Sequence, residues 1–380
     1  MTGSDIAIVG GGIVGVSLAS ELVRRGRRVT LLDSGAAGTT AASYGWINSH
    51  KKHPIDYHQL NLAGVAEWRA IAQRHPTAVD FAGHIEIAQD QAHRESLTRR
   101  VERLQSLGYG AGWISVTDAR EATTCMIRDD ALVATFDEGH AYPLRYVELL
   151  HEELAVAAGF DHRTATVSRI EPGADGVELV LEDASRIRAG QAVICAGNGS
   201  ESLVASAGGT LPLIEPLADT AAFGYLADVS APGHGIDRIV TTDEVGIRPG
   251  ESELLLVQAL DLDGTAEPGV PVPPHVAATL ERRITTLLPH TSPSVLDVRV
   301  GHRVIPADGR TAAGRIRPDS RVWAIVTHSG VVLAPWLGSV VADEICGEPP
   351  ERRLSGFQPA RFLDGTAPST HAAPRRPGDQ

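Results

Sequence analysis

Hydrophobic positions recur in two rhythms along the chain, and these define its elements. Residues 6–9 are an unbroken apolar run of strand length. Val16, Leu18, Ala19, Leu22 and Val23 then recur at helical spacing until Gly26. Residues 28–32 form a second strand that closes on Asp33. Helical spacing predicts helices over 58–74 and 91–108, over 116–122 with Thr117 as cap, over 144–158 started by Pro143, and over 275–288 and 331–346. Alternating or continuous apolar runs predict strands over 81–88, 131–135, 192–195 and 322–326, and a hairpin of 165–170 with 176–182. Between 211 and 300, strands at 221–227, 239–242, 246–248 and 254–260 dominate, as in a mostly antiparallel second domain. From about residue 349 apolar positions thin out, which predicts a disordered tail.

Gly10, Gly12 and Gly15 form a G-x-G-x-x-G between the first strand and the first helix, and Asp33 ends the next strand. Gly10 lets the chain turn out of the strand, Gly12 leaves room for a pyrophosphate, and Gly15 lets the helix lie close on the sheet. The helix start offers free N–H groups and partial positive charge to phosphate. Asp33 is expected to accept from both ribose hydroxyls and to repel a 2′-phosphate, which disfavours NADP.

At 380 residues, 43% hydrophobic and 21% charged, the chain has room for two domains. A net charge of −13 argues against nucleic acid or an anionic membrane as a partner. No apolar run reaches the roughly 18 residues of a membrane span. The fingerprint begins too early for a presequence, so a cytoplasmic location is expected. Cys125, Cys195 and Cys346 are far apart and form no C-x-x-C, so neither a disulfide scaffold nor a metal site is expected. Of 34 basic residues only Lys51 and Lys52 are lysines, so lysine chemistry has one place to occur.

Three further stretches add to the fingerprint. Ser34 to His50 is rich in Gly, Ala, Ser and Thr, which admits a ligand to the backbone, while Trp46 and Ile47 argue against full exposure. The strand 192–195 ends in Ala196-Gly197-Asn198-Gly199, a glycine edge of the kind that meets ligands. The strand 322–326 runs through Thr327-His328-Ser329-Gly330 into a helix, a second junction able to aim a helix N-terminus at a ligand. With the loop Gly301-x-Arg303…Asp308-Gly309, these stretches resemble, in order and over about residues 5–346, the D-amino-acid oxidase-like flavoproteins that include glycine and sarcosine oxidases.

The resemblance implies an α/β fold with an FAD-binding Rossmann-like domain (1–45, 141–210 and 301–348). It also implies an antiparallel-β substrate domain (46–140 and 211–300) interleaved with the first, as in D-amino-acid and glycine oxidases, with 349–380 expected to follow as the tail. It implies FAD and oxidation of a C–N bond of a primary or secondary amine or amino acid. It further implies hydride transfer to flavin N5, an imine product and reoxidation of the flavin by O2 to give H2O2. The alternatives are a dehydrogenase of the same fold with another acceptor and, in a different class, a nicotinamide-dependent dehydrogenase or a noncatalytic nucleotide-binding protein. Carried over by position, Gly10, Gly12, Gly15 and Asp33 would hold the ADP part. Thr40, Ser43, Gly45 and Trp46 would follow the ribityl chain and ring system, Val167 the adenine, and Gly197 the cofactor wall. Ser329, Gly330, Val331, Val332 and Leu333 would face the flavin pyrimidine, where the helix start favours negative charge. Ile13, Val14, Ser34, Thr39, Tyr44, Ala196, Arg303 and His328 complete the implied cofactor contacts.

The chain departs from the family at several points. No cysteine lies in the C-terminal flavin stretch and His50 is a weak attachment candidate, so noncovalent FAD is expected. Some members place an arginine near position 328, where this chain has His328. The stretch Glu215 to Asp219 lacks the usual Arg/Lys-Gly pair. An amino-acid substrate needs a carboxylate anchor; Arg303 is the first candidate and Arg248 the second, with a structural salt bridge as the other reading of each. His328 and His50 are the titrating candidates for taking the amine proton or tuning the flavin, and structural roles are the alternative. Lys51 or Lys52 could place positive charge near reduced oxygen, or simply be solvated.

Overall fold

The computed structural model describes residues 4–217 and 220–365. In it the strand Ser4–Val9, helix Ile13–Arg24 and strand Val29–Asp33 form the βαβ unit expected from the pattern, with the two strands parallel. The helix ends at Gly26, whose φ of +75° is the left-handed conformation that glycine adopts without strain. Ser4–Val9 lies between Val29–Asp33 and the long strand Arg186–Ile194. The long strand forks. Its first half pairs with the hairpin Val167–Pro172 and Val177–Leu181, and its end pairs in parallel with Val322–Val326. Phe160–Thr164 and Ala312–Arg315 complete this first sheet. Its central strands are buried and almost wholly apolar, as strands covered on both faces must be.

One face carries the helices Ile13–Arg24 and Gly330–Ile345, which cross closely because Gly338 has no Cβ; one there would lie 2.9 Å from Ser17 backbone. The helix Ile55–Arg74 packs on Gly330–Ile345. Trp68 donates its Nε1–H to Val331 O at 2.8 Å, and a Cβ on Gly64 would overlap Val332 O. Trp68, Leu60 and Ile71 belong to the same core as Ile6 and Leu337. The first helix of the segment 46–140 thus buries its apolar face in the core beneath the first sheet.

The second sheet runs Ser294–His302, Phe223–Ser230, Leu254–Gln258, Gly246–Pro249, Ile239–Thr241, His84–Ala88, Leu132–Phe136 and Ala111–Trp113. Every pairing is antiparallel except Ile239–Thr241 with His84–Ala88, and this parallel seam joins the two separate stretches of chain. Trp46–Ile47, Gly139–Ala141 and Val79–Asp80 form a third, small antiparallel sheet with Gly139–Ala141 at its centre.

Three expectations are corrected. The helix Val116–Thr123 is capped by Ser115, whose hydroxyl accepts from Asp118 N–H, and not by Thr117. Gly301 and His302 end a nine-residue strand instead of opening a loop. The expected disordered tail is ordered over 352–362, where Leu354, Phe357 and Phe362 drive two short 3₁₀ turns into the main cores. Arg361 also pairs with Asp308 at 2.8 Å. Residues 366–380 of that tail, and Asp219, lie outside the described residues.

Candidate active site

The two large sheets face each other across one cavity of about 1030 Å³, at the upper end of small-molecule sites, which run from roughly 300 to 1,000 Å³. Its floor is the glycine turn. Gly10 has φ +109° and passes so close to Cys195 that a Cβ would sit 2.3 Å from Cys195 O. Gly15 does not line the cavity; a Cβ there would lie 1.9 Å from Gly10 O, so its absence lets the helix sit on the turn. Gly12 and Ile13 open the helix toward the cavity, and Ile13 N–H reaches Thr40 Oγ1 at 3.2 Å. Asp33 accepts from Gly11 N–H at 2.6 Å and Gly35 N–H at 2.7 Å. An ionised carboxylate has about four acceptor sites, so two remain for a ligand.

The second helix start comes from the far end of the sequence. Ser329 precedes the helix Gly330–Ile345; its hydroxyl meets Tyr57 OH at 2.9 Å and its N–H reaches Thr327 Oγ1 at 3.1 Å. Ser329, Gly330, Val331 and Val332 line the same cavity as Gly10, Gly12 and Asp33. Two helix N-termini thus converge on one space. Of the cofactor residues named from sequence, all line the cavity except Gly15 and the fully buried Leu333.

The opposite wall belongs to the second sheet. Leu226, Gln258, Arg299 and Gly301 face the cavity, with Tyr44 and Trp46 packed at their edge. The Tyr44 hydroxyl is buried and has no partner among the described residues, and burial pushes its pKa up, so it is a neutral hydrogen-bonding group at neutral pH. Cys195 also lines the cavity, and burial raises its thiol pKa, which keeps it from being a thiolate nucleophile.

The four catalytic candidates separate. His328 lines the cavity. His50 does not: it is fully buried, with Nδ1 2.7 Å from Glu138 Oε1. Burial pushes its pKa down to about 4 against the pull of Glu138, so it is neutral at pH 7 and removed from any ligand. Arg248 is buried beneath the Tyr44–Gly45 segment, donating Nε–H to Tyr44 O at 2.6 Å, with its guanidinium 5.5 Å from the Tyr44 and Tyr142 rings. Burial lowers its pKa to about 10, and it supports the loop that lines the cavity without lining the cavity itself. Arg303 lines the cavity, but its Nη2 donates to Asp263 Oδ2 at 2.7 Å and its Nη1 donates to the carbonyls of Ala221 and Phe223. The salt-bridge reading of Arg303 is the one the geometry carries. Lys52 lines the cavity and Lys51 does not.

Sequence reasoning missed Glu138. This fully buried carboxylate accepts from Trp46 Nε1 at 2.8 Å and Tyr109 OH at 2.6 Å, and touches His50 and His84. Burial opposes its ionisation, yet the contacts with His50 and His84 hold its pKa below the usual range. His50, His84 and Glu138 also lie within reach of a single ion, although hydrogen-bond donors already meet both carboxylate oxygens. Tyr57, Gln258 and Asp263 were missed as well. The only sequence signal for Gln258 was a polar residue closing an apolar strand.

This architecture defines a flavoprotein oxidoreductase. The chain belongs to the DAO family of FAD dependent oxidoreductases, which it matches over residues 5–344. It is 25% identical to a D-amino-acid oxidase of Bradyrhizobium diazoefficiens, across 95% of this chain and 99% of that one. It is also 25% identical to one of the opine oxidase subunits of Agrobacterium tumefaciens, across 94% and 97%. The crystal structure of glycine oxidase from Geobacillus kaustophilus superposes with a TM-score of 0.80 at 22% identity, covering 93% of this chain and 98% of that one. The protein is therefore an FAD-dependent oxidoreductase. The glycine cradle, the remaining acceptor sites of Asp33 and the two converging helix starts suit that cofactor.

Proposed function

We propose that the protein oxidises a small primary or secondary amine or amino acid at the carbon next to nitrogen, releasing an imine. The observation that carries this reading is the convergence of Asp33, Gly12 and Ser329–Val331 on one cavity roofed by Trp46, Leu226 and Gln258. When bound, FAD supplies the hydride acceptor. The chain's own residues supply position and environment. Gly10, Gly12 and Asp33 hold the dinucleotide end. Trp46 and Leu226 exclude water, which disfavours the ammonium form and leaves the nitrogen lone pair available. The Tyr44 hydroxyl offers a ligand one hydrogen bond. His328, one of two histidines that line the cavity with His302, is our candidate to receive the amine proton. The relatives named as oxidases support oxygen as the electron acceptor, with peroxide as its product. Noncovalent attachment is supported by the burial of His50 and the raised Cys195 pKa. The unpaired cysteines support a cytoplasmic location, and no helix among the described residues is long and apolar enough to cross a membrane.

The experiment is anaerobic mixing with a panel of amines and both enantiomers of the amino acids, scored by loss of visible flavin absorbance, followed by air and peroxide assay. Bleaching by at least one amine and recovery with peroxide are expected. Bleaching only by a nicotinamide cofactor would reject the reading.

A further inference from the structure

One cation of the cavity wall, Arg303, already holds a carboxylate. Asp263 lies in the turn Leu260–Thr265, just past the strand Leu254–Gln258. Its Oδ2 accepts from Arg303 Nη2 at 2.7 Å, and its Oδ1 accepts from Tyr225 N–H at 2.9 Å. Arg303 Nη1 is committed to the carbonyls of Ala221 and Phe223. The pair lies flat on Gly224, where a Cβ would stand 2.1 Å from Arg303 Nη2 and 2.5 Å from Asp263 Oδ2. Arg303, Asp263 and Gly224 all line the cavity. The other arginine on that wall, Arg299, is paired with Asp228.

Building on the proposed amine oxidation, we propose that Asp263 is a specificity-determining residue: it occupies Arg303 as an internal carboxylate and fits the cavity to amines whose reacting carbon bears no carboxylate. A substrate carboxylate would have to displace one that is tethered, desolvated and fixed by a backbone N–H. Displacement would leave Asp263 buried without its cation, which is the costly arrangement for a charge. Losing one buried, hydrogen-bonded charge pair corresponds to a discrimination on the order of 100-fold. An amine without the carboxylate leaves the pair intact.

The test uses the holoenzyme and decarboxylated pairs: phenylalanine with phenethylamine, alanine with ethylamine and sarcosine with dimethylamine, with both enantiomers where they exist. Anaerobic flavin reduction gives the rate and the dissociation constant for each member. The amine of a pair is expected to exceed its amino acid by about 100-fold in rate over dissociation constant. Asp263→Ala and the isosteric Asp263→Asn are expected to shift that ratio toward the amino acid by about tenfold or more. Benzoate is a second probe that needs no turnover. It is expected to leave the wild-type flavin spectrum unchanged and to perturb that of Asp263→Ala. A wild-type preference for the amino acid, or a ratio unmoved in a folded Asp263→Asn, overturns the proposal while amine oxidation stands. If no member of any pair reduces the flavin, the proposed function falls and this inference with it.

Discussion

The indole Nε1 of Trp46 donates to Glu138 Oε2 at 2.8 Å, so a residue of the cavity wall is held by a carboxylate that never reaches the cavity. The other oxygen of Glu138 takes Tyr109 OH at 2.6 Å and faces His50 Nδ1 at 2.7 Å. Removing the carboxylate leaves three buried donors without an acceptor. Glu138→Ala is expected to destabilise the protein by at least about 3 kcal/mol, and Glu138→Gln, which keeps one acceptor oxygen, by less. Denaturant unfolding measures both, and the flavin circular dichroism should change with the position of Trp46. Unaltered stability in Glu138→Ala would show that the network is not a support.

Acid should destabilise the fold well before ordinary carboxylates titrate. Burial pushes His50 to about 4 and His140 to about 3, against an unfolded value near 6.5. Below about 6.5 the unfolded chain takes up protons that these rings refuse, so their stabilisation is complete above that value and is lost as pH falls toward about 4 and 3. Each ring contributes a slope of about 1.4 kcal/mol per pH unit in that window. His93 acts in the opposite direction. Burial opposes its charge, but Asp243 and Glu86 raise its pKa to about 9, so its contribution is full below about 6.5 and is lost as pH rises through 9. Urea midpoints at pH 5, 7 and 9 should peak in the middle, and His93→Asn should flatten the alkaline side.

Tyr44 offers a cleaner separation of stability from binding. Its buried hydroxyl has no partner among the described residues, so Tyr44→Phe removes a desolvated group and should leave the ligand-free protein as stable or more so, by up to about 1–3 kcal/mol. If the ligand uses that hydroxyl, KM should rise several-fold with little change in kcat. Thermal melts with steady-state kinetics read both, and an unchanged KM removes Tyr44 from the binding site.

Cofactor retention should depend on Gly15 and Asp33 for different reasons. Gly15→Ala places a methyl into Gly10 O and is expected to yield protein without flavin. Asp33→Ala loses the acceptor for Gly11 and Gly35 N–H and should weaken FAD binding by about 10- to 100-fold, measured by titrating the apoprotein with FAD.

What could be read from sequence was local. Gly10, Gly12 and Gly15 act through backbone shape and Asp33 through its carboxylate, all within one βαβ unit, and their spacing carries the information. The Ser329–Val331 helix start was legible for the same reason. Contacts between distant segments were not. Trp46 with Glu138, Tyr57 with Ser329 and Arg303 with Asp263 join residues 92, 272 and 40 positions apart, and nothing local announces the partner. Arg303 shows the limit most plainly: the motif located the side chain on the cavity wall, while its charge is spent on a turn that no local pattern marks. The ordered stretch 352–362 was missed because three apolar side chains sufficed to anchor it.

In the proposed reaction the hydrogen removed from substrate is the one on the carbon beside nitrogen, within the cavity shared by both helix starts. The most direct measurement is single-turnover flavin reduction, followed anaerobically, with an accepted amine and its counterpart deuterated at that carbon. A slower reduction of the deuterated amine, by a primary isotope effect, is expected. Equal rates for both, together with flavin reduction that is itself limiting, would contradict the account.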